Sequence, residues 1–305
     1  MTTDRSGVLV VDKGPGVTSF RVVAHVRHLL KGPKIGHGGT LDPDATGVLL
    51  LLVGAATKLS SYLLEHDKEY IATVRLGMIT DTQDLSGQLL EQRGVPALDD
   101  GTIRATLEPF TGQIQQIPPM FSALHREGRR LYQLARKGHE VPREPRSVTV
   151  HRIVLEDVSL PRLVLRVQCG RGTYIRTLAH DLGLALGCGG ALERLIRTRV
   201  GPFPLDEAIP WAELQTLHDP ETVWRRLRPS DAALADWPRW KLDGAETGAF
   251  VHGRAVPFSG WALGQKVVVY DQFGEFLAIG RVTPSGLTPE RILHARSPRP
   301  RSLPT

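Results

Sequence analysis

The sequence predicts an α+β protein of two domains, on three observations. Segments of strand and helix character occur in mixed groups without a steady strand–helix–strand rhythm, which argues against a doubly wound sheet. The chain has 305 residues, long for one domain. Pro, Asp and Trp cluster between Arg228 and Trp240, which predicts a linker, and short strand-like runs follow it.

The elements can be read in order. Val8 to Val11 is a short strand. Asp12 to Ser19 is a turn ending in a helix cap, and the spacing after it predicts a helix over Phe20 to Leu30. Lys31 to Thr46 is a glycine-rich loop. Val48 to Ala56 is apolar throughout and fits either a strand or a buried helix. Tyr70 to Leu76 alternates as a strand does, and Thr80 to Gly87 is a polar loop. Thr102 to Phe110 reads as a short helix, followed by a loop at Pro118 and Pro119. Leu131 to Lys137 has helical spacing. Val148 to Leu155 and Leu163 to Cys169 are strands, and Thr177 to Leu186 is a helix. Beyond the linker, Lys266 to Tyr270 and Phe276 to Arg281 are strands about a turn at Asp271 to Gly274. They mark a β-rich module of about 65 residues. The tail after Leu293 is rich in Pro, Ser and Arg and is expected to be disordered.

Composition narrows the functional class. The hydrophobic fraction is 41%, enough for a sizeable core. The longest aliphatic run, Val48 to Val53, is too short to span a bilayer, and the N-terminus lacks the apolar stretch of a signal peptide. There is no asparagine to accept a glycan. The two cysteines, Cys169 and Cys188, are too few for a disulfide framework. These features predict a cytoplasmic protein. The net charge of +6 favours an anionic partner. Between Arg126 and Arg146, seven Lys/Arg stand against three Glu, the footprint expected for nucleic acid and equally that of a solvated helix face. No GxGxxG, P-loop, HExxH or Cys/His cluster is present, so neither a cofactor nor a metal is expected.

The segment with the most chemical content is Gly36-His-Gly-Gly-Thr-Leu-Asp-Pro-Asp-Ala-Thr-Gly-Val-Leu-Leu. Its glycines permit tight turns and close approach to a ligand. Pro43 holds Asp42 out of the helical region. A carboxylate on such a loop, beside an apolar run, suits a nucleophile or acid–base group; an ordinary Gly/Asp/Pro turn has the same composition. His37, Asp42 and Asp44 fit no usual metal-ligand spacing.

This string closely resembles the signature of TruB-type pseudouridine synthases, G-H-x-G-T-L-D-P-x-A-x-G, at every fixed position. Other segments resemble the family in the same order. Lys13-Gly-Pro-Gly-Val-Thr-Ser19 matches K-P-x-G-x-T-S except at Gly14, where Pro is usual. Tyr70, Gly77 and Thr80-Asp-Thr-Gln-Asp84 match its Tyr, Gly and T-D-T-x-D positions. Gln116 to Leu124 with Gly128 to Arg136 resembles its RNA-gripping insert, with His125 in place of Lys. Cys169-Gly-Arg-Gly-Thr-Tyr-Ile-Arg-Thr-Leu178 resembles C-S-K-G-T-Y-I-R-x-L. Leu195, ahead of Arg197 and Gly201-Pro-Phe203, matches an apolar pocket residue, with Ile196 where Arg is usual. The β-rich module resembles, more loosely, the PUA-like RNA-binding domain of bacterial members.

The resemblance implies a pseudouridine synthase fold: a mixed, mainly antiparallel central sheet flanked by helices, plus a small PUA-like domain. It implies a catalytic domain over 1–235 with an insert at about 112–147, a PUA-like domain over 236–294 and a tail over 295–305. It implies that Asp42 is the catalytic carboxylate, that Arg176 pairs with it and favours its ionised form, and that Tyr70 stacks on the target base. His37, Leu195, Lys13, Arg129, Arg130 and Arg136 are implied to bind substrate. The implied reaction converts uridine to pseudouridine in the T loop of tRNA, at position 55, after the base is flipped out, by a cofactor-free monomer needing no protein partner. Three rivals are an RNA-binding or tRNA-folding protein in which catalysis is secondary, a guide-RNA-dependent relative, and an N-glycosylase, which usually needs two carboxylates.

Overall fold

The computed structural model describes residues 5–122, 125–126, 129–131, 135 and 141–293, with the backbone alone at 125, 126, 129 and 130. The helix expected over Leu131 to Lys137 lies mostly outside these residues, and the tail over 295–305 lies wholly outside them.

A ten-stranded mixed sheet forms the larger part of the molecule. It contains β1 (Gly7–Lys13), β2 (Ile35–His37), β3 (Thr46–Val53) and β4 (Lys68–Leu76). A separate hairpin pairs β5 (Met78–Thr80) with β6 (Leu89–Gln92). The large sheet continues through β7 (Gly112–Gln116), and a hairpin of two short strands, β8 (His125–Arg126) and β9 (Arg129–Arg130), follows. Then come β10 (Arg146–Ser159), β11 (Arg162–Cys169), β12 (Gly190–Val200), β13 (Phe203–Pro204) and β14 (Ile209–Pro210). The spatial order is β14-β1-β3-β12-β4-β11-β10-β7. Within this sheet, among the described residues, the β14–β1 and β3–β12 pairings are parallel and the rest antiparallel, the mixed and mainly antiparallel arrangement expected. The basic insert leaves the sheet at β7, its edge strand, and returns at the neighbouring β10.

Among the described residues the helices include α1 (Ser19–Leu29), α2 (Ser60–Glu65), α3 (Asp100–Leu107), α4 (Ile175–Ala185), α5 (Trp211–Thr216), α6 (Pro220–Arg225) and α7 (Gly244–Val251). The apolar run at 48–56 is resolved as strand through Val53, then a 3-10 turn over Gly54–Leu59. The run is continuous because both faces of β3 are covered. Leu49, Leu51 and Val53 join Leu9 and Val11 in one core, closed by Val22 and Val26 of α1, Ile103 of α3 and Leu178 and Leu182 of α4. Val48, Leu50 and Leu52 join Val8 and Val10 in a second core on the opposite face, closed by Tyr62 and Leu63 of α2. Each such side chain contributes about 1.5–3 kcal/mol on burial.

A four-stranded sheet forms the C-terminal module: β15 (Arg239–Lys241), β16 (Lys266–Tyr270), β17 (Phe276–Thr283) and β18 (Gly286–Ile292). Val267, Val269, Leu277 and Leu287 make its own core with Phe250 of α7. Val268 and Ile279 point the other way and complete the second core of the larger part. The segment expected as a linker is therefore packed structure. Ala233 and Leu234 are buried in that shared core, Trp237 meets Tyr62 edge-on with ring centroids 5.6 Å apart, and Arg239 opens β15.

Candidate active site

Asp42 sits on the loop between β2 and β3, and four groups fix that loop. Ser19 Oγ, at the first position of α1, accepts from Leu41 N at 3.0 Å and donates to Leu41 O at 3.1 Å. Lys13 Nζ donates to the carbonyls of Pro43 (2.8 Å), Val17 (2.8 Å) and Gly14 (3.0 Å). Arg197, buried in β12, donates to Val48 O at 2.7 Å, Gly39 O at 3.1 Å and Thr40 O at 3.4 Å. Asp12 accepts from Gly47 N at 3.1 Å. Gly47 is required: its φ is +97°, and a Cβ there would collide with the Arg197 backbone carbonyl. The glycines expected to let the chain approach a ligand thus serve partly to let this loop lie against β12.

Arg176, in the first turn of α4, is 6% exposed. Its Nε lies 3.0 Å from Asp42 Oδ2 and its Nη1 lies 3.5 Å from Asp84 Oδ2. It also donates to Thr82 O (3.1 Å) and Phe121 O (2.8 Å), so the guanidinium is held on several sides. Asp84 is itself oriented by Thr82 Oγ1 (2.7 Å), Ser86 N (3.0 Å) and Ser86 Oγ (2.6 Å). The result is a carboxylate–guanidinium–carboxylate row. Arg176 is buried and Asp84 mostly so, while Asp42, 46% exposed at its side chain, presents an open face.

Arg176 acts on Asp42 in the expected direction, and burial opposes it. Burial pushes the Asp42 carboxyl above its usual range; the Arg176 guanidinium opposes this, and Asp84 adds to it. The arginine does favour the ionised form, but surrounding protein outweighs it. Tyr70 is buried and its phenol is pushed up, chiefly by burial, with Arg197 opposing and Asp42 close enough to contribute. It stands opposite Arg197 in the β4–β12 ladder, and Leu195 stands opposite Ala72. Tyr70, Leu195, Leu41 and Ala45 share one apolar cluster, the wall beside the carboxylate loop.

The remaining predicted residues divide. His37 ends β2, half-buried, with Nδ1 lacking a hydrogen-bond partner among the described residues; burial, then Arg197, lowers its pKa. Lys13 has no exposed surface, and burial pulls its pKa down to about 8. Its three carbonyl acceptors make it a clasp for the Asp42 loop, so it presents no cation to a substrate as the reading of it as substrate-binding required. Arg129 and Arg130 form β9, with side chains outside the described residues; Arg136 lies outside them altogether. Cys169 is buried and its thiol is pushed up to about 11, an inert state. Among the described residues no group of His, Cys, Asp or Glu could hold a metal.

Asp84, Arg197 and Ser19 were given no role from sequence, although each falls within a segment that resembles the family. The signal for Asp84 was its place in the Thr80 to Asp84 run, and that for Arg197 was an arginine inside the apolar-flanked Leu-Ile-Arg-Thr-Arg-Val.

Family models match nearly the whole chain. Residues 27–175 match the TruB family pseudouridylate synthase N-terminal domain. Residues 176–235 match the tRNA pseudouridylate synthase B C-terminal domain, and 238–293 match the pseudouridine synthase II TruB C-terminal region. The class these define is a pseudouridine synthase, an RNA-modifying enzyme. The fold is shared with a chain in the crystal structure of a Cbf5-Nop10-Gar1 complex, at a TM-score of 0.72 and 27% identity, covering 94% of this chain and 85% of that one. The tRNA pseudouridine synthase B of Aromatoleum aromaticum is 46% identical over 94% of this chain and 92% of its own length. That of Pseudomonas aeruginosa is 44% identical over 95% of this chain and 96% of its own length. The chain belongs to the TruB family of pseudouridine synthases.

Proposed function

We propose that this enzyme isomerises uridine 55 in the T loop of tRNA, with Asp42 as the catalytic carboxylate. The observation that carries the reading is the Asp42–Arg176 pair at 3.0 Å, its guanidinium buried and its carboxylate open, in a chain 46% identical to a tRNA pseudouridine synthase B. The uridine lies within a folded loop, so the base is flipped outward at a cost of a few kcal/mol. Stacking against the Tyr70 and Leu195 wall, together with phosphate contacts from the insert, offsets that cost. His37, half-buried at the end of β2 and ahead of the Asp42 loop, is the further residue placed to contact the RNA in this reading.

The reaction breaks N1–C1′ and forms C5–C1′; N1 gains the proton that C5 loses, so no redox change or donor is needed. Asp42 either adds to C1′ or takes the C2′ proton, and a primary isotope effect from deuterium at C2′ distinguishes the routes. Arg176 holds the carboxylate toward the sugar in either case. We further propose that the chain acts alone, as a monomer in the cytoplasm, since it carries its own basic insert and C-terminal module. No helix among the described residues is long and apolar enough to cross a membrane.

The test is incubation of the purified chain with unmodified tRNA transcript, followed by mapping of pseudouridine. Wild type alone should modify position 55, and Asp42→Asn should lose at least about a thousandfold in rate. Retained activity in Asp42→Asn would remove the assignment. RNA binding without modification by wild type would favour a tRNA-folding role.

A further inference from the structure

From Lys13 to Leu41 the chain contains no Asp or Glu. Lys13 is buried, but Arg21, Arg27, Lys31 and Lys34 are exposed, and none makes an ion pair among the described residues. His28 is exposed beside them, and Phe20, in the first turn of α1, is 77% exposed. Phe20, Ala24, Arg27, His28 and Lys31 line an open depression of about 520 Å³ on the outer face of α1.

Helix stability does not account for this pattern. Arg27 and His28 lie in the last turn of α1, where the carbonyl ends favour cations. Arg21 lies in the first turn, which has no acidic residue and where the helix field disfavours positive charge. Nor does packing account for it: α1 packs inward through Val22 and Val26, and His25 faces Trp211 with ring centroids 5.2 Å apart. The outer face is left to solvent with one sign of charge.

The strip is continuous with the site. Ser19, one residue before Phe20, holds Leu41 beside Asp42, and the chain returns from Lys34 through β2 to His37. We infer that the outer face of α1, with Lys31 and Lys34, is a second docking surface for the sugar-phosphate backbone of the RNA substrate, separate from the basic insert. This rests on the proposed action on tRNA and adds where the RNA lies. Four solvent-facing cations without acidic neighbours in sequence match a polyanion. Phe20, at the end of the strip nearest the site, gives a base a face to stack on.

The test compares full-length wild type with Arg21→Gln/Arg27→Gln/Lys31→Gln/Lys34→Gln in binding unmodified tRNA transcript across a salt series. The variant should raise Kd about tenfold or more near physiological salt. Its plot of log Kd against log salt should flatten by about 0.9 for each phosphate that is no longer neutralised. Unchanged Kd and slope overturn the inference. Should the variant misfold, amine acylation of wild type gives the answer: Lys31 and Lys34 should be protected by bound transcript, and full reactivity overturns the inference. Unchanged RNA binding with lost affinity for anionic vesicles also overturns it, assigning the strip to a lipid surface. Pseudouridine formation by wild type, assayed on the same transcript, separates the two claims. If wild type makes none, the proposed function fails while the Kd and slope comparison still decides whether the strip binds RNA; if it does, only the strip is in question.

Discussion

At the scale of single residues, Asp42 is held under opposed influences, and this gives its chemistry a pH signature. Burial raises the carboxyl's pKa and Arg176 counters it. The proposed reaction uses the ionised form. As pH falls through the raised pKa, the active fraction falls, so kcat/KM should drop on the acid side at a pH above that of an ordinary carboxylate, which titrates near about 3.9. The neighbours fix the direction of change. Arg176→Gln removes the charge that lowers the pKa and should move the limb to higher pH. Asp84→Asn removes a charge that raises it and should move the limb lower. Both should also cost rate, about tenfold to a hundredfold for Asp84→Asn, because Asp84 helps aim the guanidinium. Rate profiles across pH for the three proteins check this. Limbs that coincide would detach the titration from Asp42.

At the scale of elements, the Asp42 loop depends on β3 lying against β12 at one point. Gly47 pairs with Arg197 there in a parallel register, and its backbone occupies a region closed to other residues. Gly47→Ala adds left-handed strain and a collision with backbone, together about 2–5 kcal/mol. The denaturation midpoint should fall accordingly, and activity should fall further than stability explains because Arg197 also holds Gly39 and Thr40. A variant with an unaltered midpoint would show that the strands part locally at little cost. This junction also marks where sequence reading reaches its limit. β4 and β11 were legible because each buries one face and alternates cleanly. β12 was not: Glu193, Arg194, Arg197 and Arg199 interrupt its pattern, and bulges near 193 and 198 shift the alternation. Asp42 was legible through its motif. Arg197 was not, since an arginine in sequence reads as a solvated cation, and only the assembled loop supplies the carbonyls that satisfy it. Lys13 was misjudged for the same reason, one of its acceptors lying on Pro43, 30 positions away.

At the scale of the whole molecule, the two sheets share a core, and this bears on how the enzyme would grip RNA. Val268 and Ile279 of the C-terminal sheet complete the cluster that Val8, Val10, Leu50 and Leu52 begin. Polar contacts close the seam: Tyr62 donates to Glu290 at 2.7 Å, Tyr270 to Asp231 at 2.6 Å and Lys58 to Leu293 O at 2.8 Å. Lys266 sits 4.8 Å above the Tyr62 ring. A chain cut at 235, the boundary expected from the resemblance, would lose part of this shared core. A chain of residues 1–235 should therefore expose a broad apolar face and either aggregate or melt at least about 10 °C below the full chain, since several buried aliphatic side chains would return to water at about 1.5–3 kcal/mol each. Thermal melting and light scattering of the two chains make the comparison. A truncated chain that melts cooperatively at the same temperature would mean the sheets merely touch. A lowered melting point has a further consequence: RNA contacts on the C-terminal module would stand at a fixed distance from Asp42, so binding at one end would present the target nucleotide to the carboxylate without a flexible search.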